Sequence, residues 1–318
     1  MDWQGVNCSQ PTSNDIFRHI YKVYLPGFNM YGTIPPSIGN LTFLSFLNLE
    51  NNQLWGTIPE EMGASMMNLT SLNLQNNYLT GSIPATLGQL KALTFLSASY
   101  NSLVGTISDS FGMLTALDTL CLSYNTLSGS IPSIFRNMTE LQTLQLNQNA
   151  LFGSIPINVY SLDNLYQLDL SNNLLTGTLP LELSYSNSLA IVNLSNNLLS
   201  GTLPLNIAGS DVLLYELFLT ENQLSGSIPE AFCAAVYPFI VNIASNSLTG
   251  TIPACIGNLS TLVRLDVSSN LLTSTIPSSI CEITGLQILN LNYNSMSGSL
   301  PRDFGNITAI YQLYLQSN

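Results

Sequence analysis

An asparagine recurs along this chain at a fixed interval, and the residue types around each copy recur with it. Leu168 to Pro180 shows the frame: L-D-L-S-N-N-L-L-T-G-T-L-P. Counted from Asn173, aliphatic residues stand five and three before and two after, Gly four after, Ile or Leu six after and Pro seven after. The frame is anchored at Phe28, Asn52, Asn77, Asn101, Asn125, Asn149, Asn173, Asn197, Asn222, Asn246, Asn270, Asn294 and Asn318. The intervals are 24 residues, except 25 from Asn52 to Asn77 and from Asn197 to Asn222. A unit this short cannot bury its own apolar face, so copies must stack on one another. The expected architecture is an α/β-type repeat solenoid, with residues 1–20 as an N-terminal cap and 21–318 as twelve full repeats plus a thirteenth strand.

Elementary chemistry assigns each position a task. The L-x-L run alternates inward and outward, as a half-buried strand requires, and such strands pair in parallel from repeat to repeat. The anchor Asn turns inward, where its amide can bond backbone groups of its own and adjacent loops. The following Gly permits a close approach or a backbone conformation that a Cβ opposes. Proline then fixes φ and turns the chain into the loop side. Ser274 replaces the Gly and Ser108 the Pro. The extra residues near Ala64-Ser65 and Gly209 to Asp211 read as local bulges, and Ala231 to Pro238 is the least regular span.

The L-x-G-x-I-P phrase, with the opening Asp2-Trp3-x-Gly5-Val6-x-Cys8, resembles the plant-specific subclass of extracellular leucine-rich-repeat proteins over essentially residues 1–318. These include ectodomains of receptor-like kinases and receptor-like proteins, and polygalacturonase inhibitors. The resemblance implies a right-handed superhelix with a long parallel sheet on its concave face and a second short sheet near G-x-I-P. Met1 stands where the family's cap has its first Cys, which implies that Cys8 lacks its usual partner. An extracellular recognition module for a protein, peptide or glycan is the function implied.

Composition narrows the partners. Eighteen acids against six bases give a net charge of −12, with the bases scattered, which disfavours nucleic acid. No apolar run is long enough for a membrane span. No secretory leader precedes Asp2 and the chain stops on an anchor, so a mature or excerpted segment is expected, with more sequence after Asn318 or a subunit docked there end to end. Seven N-x-Ser/Thr sequons, Asn7, Asn40, Asn68, Asn137, Asn193, Asn258 and Asn306, favour an extracellular glycoprotein. Cys255 can reach Cys233 or Cys281, one repeat either side, but not both; otherwise all three are buried thiols. No cofactor or metal is expected, and no catalytic constellation exists. His19, the sole histidine, reads as a surface residue, and Glu60-Glu61 as a solvated pair.

Binding chemistry is expected on outward strand positions. Two aromatic clusters emerge from the strand columns: Phe95, Tyr100 and Tyr124; and Tyr215, Phe218, Phe239 and Ile240, bordered by Glu216 and Glu221, with Arg264 two repeats on. A second surface is uniform: the residue five after every anchor is Ser or Thr, and in eight repeats the residue three after is too. This double hydroxyl row resembles the Thr-x-Thr arrays of ice-binding solenoids. An alternative from another class is a structural glycoprotein that self-assembles into filaments or a matrix layer.

Overall fold

A computed structural model of the chain describes residues 4–9, 18–185, 188–204, 214–234 and 237–318. Met1 to Trp3 of the cap motif, the bulge near Gly209 to Asp211 and residues 235–236 lie outside them. The chain divides into two compact units, Met1–Phe152 and Gly153–Asn318, each a stack of parallel-strand repeats.

In the first unit the L-x-L runs form a front sheet from Ile20–Tyr24 through Phe46–Asn48, Ser71–Asn73, Phe95–Ser97 and Thr119–Cys121 to Thr143–Gln145. The cap adds a strand that the repeat pattern does not announce: Val6–Cys8 pairs antiparallel with Ile20–Tyr24 and covers the sheet's open edge. In the second unit the front sheet runs from Gln167–Asp169 to Gln312–Tyr314. Successive front strands pair in step, like position against like, as with Leu72 and Leu96. Away from the ends of the stack their inward leucines are buried, Leu168 and Leu170 among them.

The second sheet is built from positions one to five after the anchors, as in Leu198–Thr202 and Gln223–Ser227. It therefore includes the Gly and ends before the Pro. Here the pairing is offset by two residues per repeat: Thr176 faces Leu198, and Thr178 faces Ser200.

Between the sheets the anchor amide works as expected. Asn197 donates through Nδ2 to the carbonyls of Leu194 at 3.1 Å, Ser195 at 3.2 Å and, one repeat earlier, Leu170 at 3.0 Å; its Oδ1 accepts the Leu175 N–H at 3.0 Å. One buried side chain thus satisfies four backbone groups in two repeats. The residue before the anchor, rather than the anchor itself, makes the turn. Asn172, Asn196, Tyr100, Tyr124 and Glu221 all adopt left-handed φ of 53–56°. This step folds the two preceding carbonyls onto the Asn amide. It costs little for Asn and about 1–2 kcal/mol for Tyr or Glu.

Two further local rules set the repeat's pitch. Gly201 has φ +81°, and a Cβ there would lie 2.8 Å from Thr178 Cγ2 of the repeat before, so the Ser/Thr five after an anchor seats on the next repeat's glycine. On the loop side the prolines open short 3₁₀ turns; Pro84 O accepts the Leu87 N–H at 3.1 Å, and Leu87, Phe111 and Phe135 fill the core beneath. Where Ser108 replaces proline, its hydroxyl accepts the Ser110 N–H at 3.2 Å and caps the turn instead. The extra residue near Ala64-Ser65 is not a loose bulge. It lets Glu60–Ser65 close as the one α-helical turn among the described loops, with Glu60 and Glu61 exposed in its first turn.

Candidate binding faces

Much of the front face is committed to the scaffold. Where the residue four before the anchor is Asp or Asn, its side-chain oxygen turns to accept the N–H two residues on. Asp266 Oδ1 accepts from Ser268 N at 3.2 Å and Ser268 Oγ at 2.6 Å, and Asn290 donates to its Oδ2 at 3.0 Å. Asp169 does the same with Ser171, at 3.0 and 2.7 Å. Burial raises the Asp169 carboxyl above its usual range, opposed by the Ser171 and Asn193 hydrogen bonds. The Asp and Asn side chains of this column thus stiffen the sheet.

The second aromatic cluster is partly assembled. Tyr215 and Phe239 stack at 4.9 Å between centroids and 5° between planes, with Tyr215 exposed. Glu216 and Ile240 are direct cross-strand neighbours beside them. Phe218 stands at the other end of its strand, in register with Asn193 and Asn242. Glu221 is exposed at a left-handed turn position. Arg264 is held by its own strand, with Nη2 3.5 Å from the buried Asp266 carboxylate, and its Nε is buried without a partner.

The first cluster divides. Tyr100 and Tyr124 stack at 4.2 Å and 10° on consecutive turn positions, and partial desolvation, with the Tyr124 hydroxyl alongside, raises the Tyr100 phenol. Phe95 is not with them: its register neighbours are Ser71 and Thr119, back on the strand. His19 is likewise no bare surface residue, since its ring stacks on Phe43 at 3.7 Å and is half-buried.

Asn7, Asn40, Asn68, Asn137, Asn258 and Asn306 are exposed. Asn193 is half-buried on the front face, its amide donating to Ser171 Oγ and accepting Ser195 N–H at 3.2 Å. Cys255 is bonded to Cys233, whose Cα lies 5.8 Å away, and Cys281 is a buried thiol. Burial pushes the Cys121 thiol up to about 11. Among the described residues no three His, Cys, Asp or Glu converge as metal ligands, and no helix is long and apolar enough to cross a membrane.

On the second sheet the offset register sets hydroxyls in direct opposition: Thr178 with Ser200, Thr202 with Ser225 and Ser227 with Thr249. Some are spoken for; Ser225 Oγ donates to Gly201 O at 3.3 Å. The same sheet carries a patch that the repeat columns obscured. Tyr31, Trp55 and Tyr78 occupy outward positions in three consecutive repeats and are 79%, 47% and 63% exposed. For Tyr31 and Trp55 the signal was available as departures from the Ser/Thr three after the anchors; Tyr78, one after its anchor, joins them only through the sheet's offset. On the front sheet Lys22 lies over the rings of Tyr24 and Phe46, at 5.5 and 4.7 Å, a contact that the column reading also missed.

Models of the leucine-rich repeat match residues 42–103, 116–138, 164–186, 213–235, 261–283 and 285–307, more than half of the chain. The LRR receptor-like serine/threonine-protein kinase EFR of Arabidopsis thaliana is 40% identical over 62 residues, which are 20% of this chain and 6% of the kinase. The plant peptide hormone receptor RGFR1, solved with RGF2, superposes with a TM-score of 0.73 at 30% identity, over 99% of this chain and 60% of the receptor. A plant ice-binding protein superposes with a TM-score of 0.70 at 25% identity, over 94% of this chain and 87% of that protein. The chain thus spans only part of the two receptors.

Proposed function

The chain belongs to the leucine-rich-repeat family, in the form shared with plant receptor ectodomains, and from that premise we propose that it is an extracellular recognition module for a peptide or protein segment, seated on the front sheet of its second unit. The observation that carries this reading is the stack of exposed Tyr215 on half-buried Phe239, on a sheet where the neighbouring Asp266 carboxylate is already satisfied internally. Such a surface loses little side-chain freedom on binding, and aromatic anchors supply most of the energy in interfaces of this kind. Glu216 and Glu221 give it an acidic border, which favours a ligand with a basic residue beside an apolar one. The relative solved with a peptide hormone ligand supports the same class of partner.

A random-sequence peptide display library panned on the purified chain tests the reading. Enriched peptides should lose at least tenfold in affinity to Tyr215→Ala with Phe239→Ala. Equal affinity for the parent and the double variant would move the site off this stack.

A second reading has its own support. Similarity to a plant ice-binding protein extends over most of both chains, and the opposed hydroxyls of the second sheet form a regular, uncharged array. Thermal hysteresis and ice-crystal shaping, both abolished by Thr178→Tyr with Thr202→Tyr, are the expected results on that reading. Absence of both activities in the parent chain would remove it.

A further inference from the structure

The patch of Tyr31, Trp55 and Tyr78 has no part in either reading. Tyr31 and Trp55 replace the hydroxyl usual three residues after an anchor, Tyr78 stands one residue after its own, and the inward Leu54 and Leu79 beside them are buried while the three rings are exposed. The two-residue offset brings them together: Trp55 sits directly opposite Tyr78, and Tyr31 lies diagonally across, its ring centroid 6.5 Å from that of Trp55. Three rings therefore stand on adjacent strands, about 4.8 Å apart per step, on one face of one sheet. Large exposed aromatics gathered on a flat surface mark an interaction site more often than chance exposure does.

The surroundings select the occupant. Exposed hydroxyls of Thr33, Thr57, Thr80 and Ser82 edge the rings, with Thr33 in register beside Trp55. Thr33, Thr57 and Ser82 also line an open groove of about 610 Å³, together with Glu60 and Glu61. No Lys or Arg occurs between Lys22 and Lys91. An anionic membrane or a polyanion is thus repelled, and a wholly apolar partner would strand the hydroxyls. A neutral sugar chain satisfies every component. The C–H face of a pyranose carries partial positive charge and rests on the negative face of an aromatic ring. Its equatorial hydroxyls point sideways, where Thr and Ser exchange hydrogen bonds and carboxylates accept them.

We propose that Trp55, flanked by Tyr31 and Tyr78, is a stacking platform for an extended neutral polysaccharide, separate from the peptide face. The test is retention of the purified chain on microcrystalline cellulose, glucomannan and β-1,3-glucan, with polygalacturonate as the charged control. Retention is expected on at least one neutral glycan and not on polygalacturonate. Trp55→Ala and Tyr78→Ala should each lower it at least tenfold with the thermal midpoint unchanged, because both rings are exposed; Tyr215→Ala should leave it intact. No retention on any neutral glycan, preference for polygalacturonate, or equal retention by Trp55→Ala would each overturn the proposal. So would a dimer of the parent chain that Trp55→Ala converts to monomer, which would assign the patch to a second copy.

Discussion

Asn197 concentrates the logic of the repeat in one side chain. Its carboxamide has two donors and two acceptor sites, and the fold uses them on backbone groups of two successive repeats. Asn197→Ala would strand the Leu175 N–H, while the Leu170 carbonyl keeps the Asn173 amide as a donor, so a loss of about 1–3 kcal/mol in urea unfolding is expected. Asp169 offers a test of sign. Its folded pKa is raised, chiefly by burial. The group therefore favours the folded state when protonated, below the unfolded value near 3.8, and that contribution is lost as pH rises through the folded value. Asp169→Asn keeps the acceptor for Ser171, as Asn193 does for Ser195. The variant should melt higher than the parent at pH 7, and the difference should vanish as pH falls below about 3.8.

The loop turns show how one element solves the same problem twice. Proline opens most of them by fixing φ, whereas Ser108 opens its own by side-chain capping at φ −71°. Ser108→Ala should cost about 1 kcal/mol, and Ser108→Pro should recover it, because that φ suits the ring; paired urea melts decide. The Cys233–Cys255 bond ties two successive loops across a separation of 22 residues. Cys233→Ala with Cys255→Ala should lower stability by about 3 kcal/mol on the chain-entropy argument, and mass spectrometry of the unreduced parent should find Cys281 free.

At the scale of the whole molecule, 8% charged residues and a net charge of −12 leave much of the polar surface to amides and hydroxyls. Asn40, Asn137, Asn258 and Asn306 occupy the same exposed place in their repeats, twelve residues after an anchor. Expressed through a eukaryotic secretory route, these four should be glycosylated, and Asn193, whose amide is engaged between Ser171 and Ser195, should not. Glycopeptide mapping reads this directly.

The spacing of Leu, Asn, Gly and Pro was enough to determine the repeat, its core and its amide ladder. Each of these is a short-range bargain between a side chain and nearby backbone, renewed every 24 or 25 residues. What tertiary structure decided was which outward residues meet. Columns aligned by number place Trp55 beside Tyr31 and Thr80, but the second sheet pairs with a two-residue offset, so Trp55 faces Tyr78. On the front sheet the alignment is in step, yet the left-handed turn separates Tyr100 from Phe95 although only four residues lie between them. The choice of Cys233 over Cys281 has the same origin, since both stand one repeat from Cys255 and their positions do not say which thiol the loop turns toward. Register and turn handedness arise between repeats, from packing contacts such as Thr178 on Gly201, and no single repeat's pattern records them.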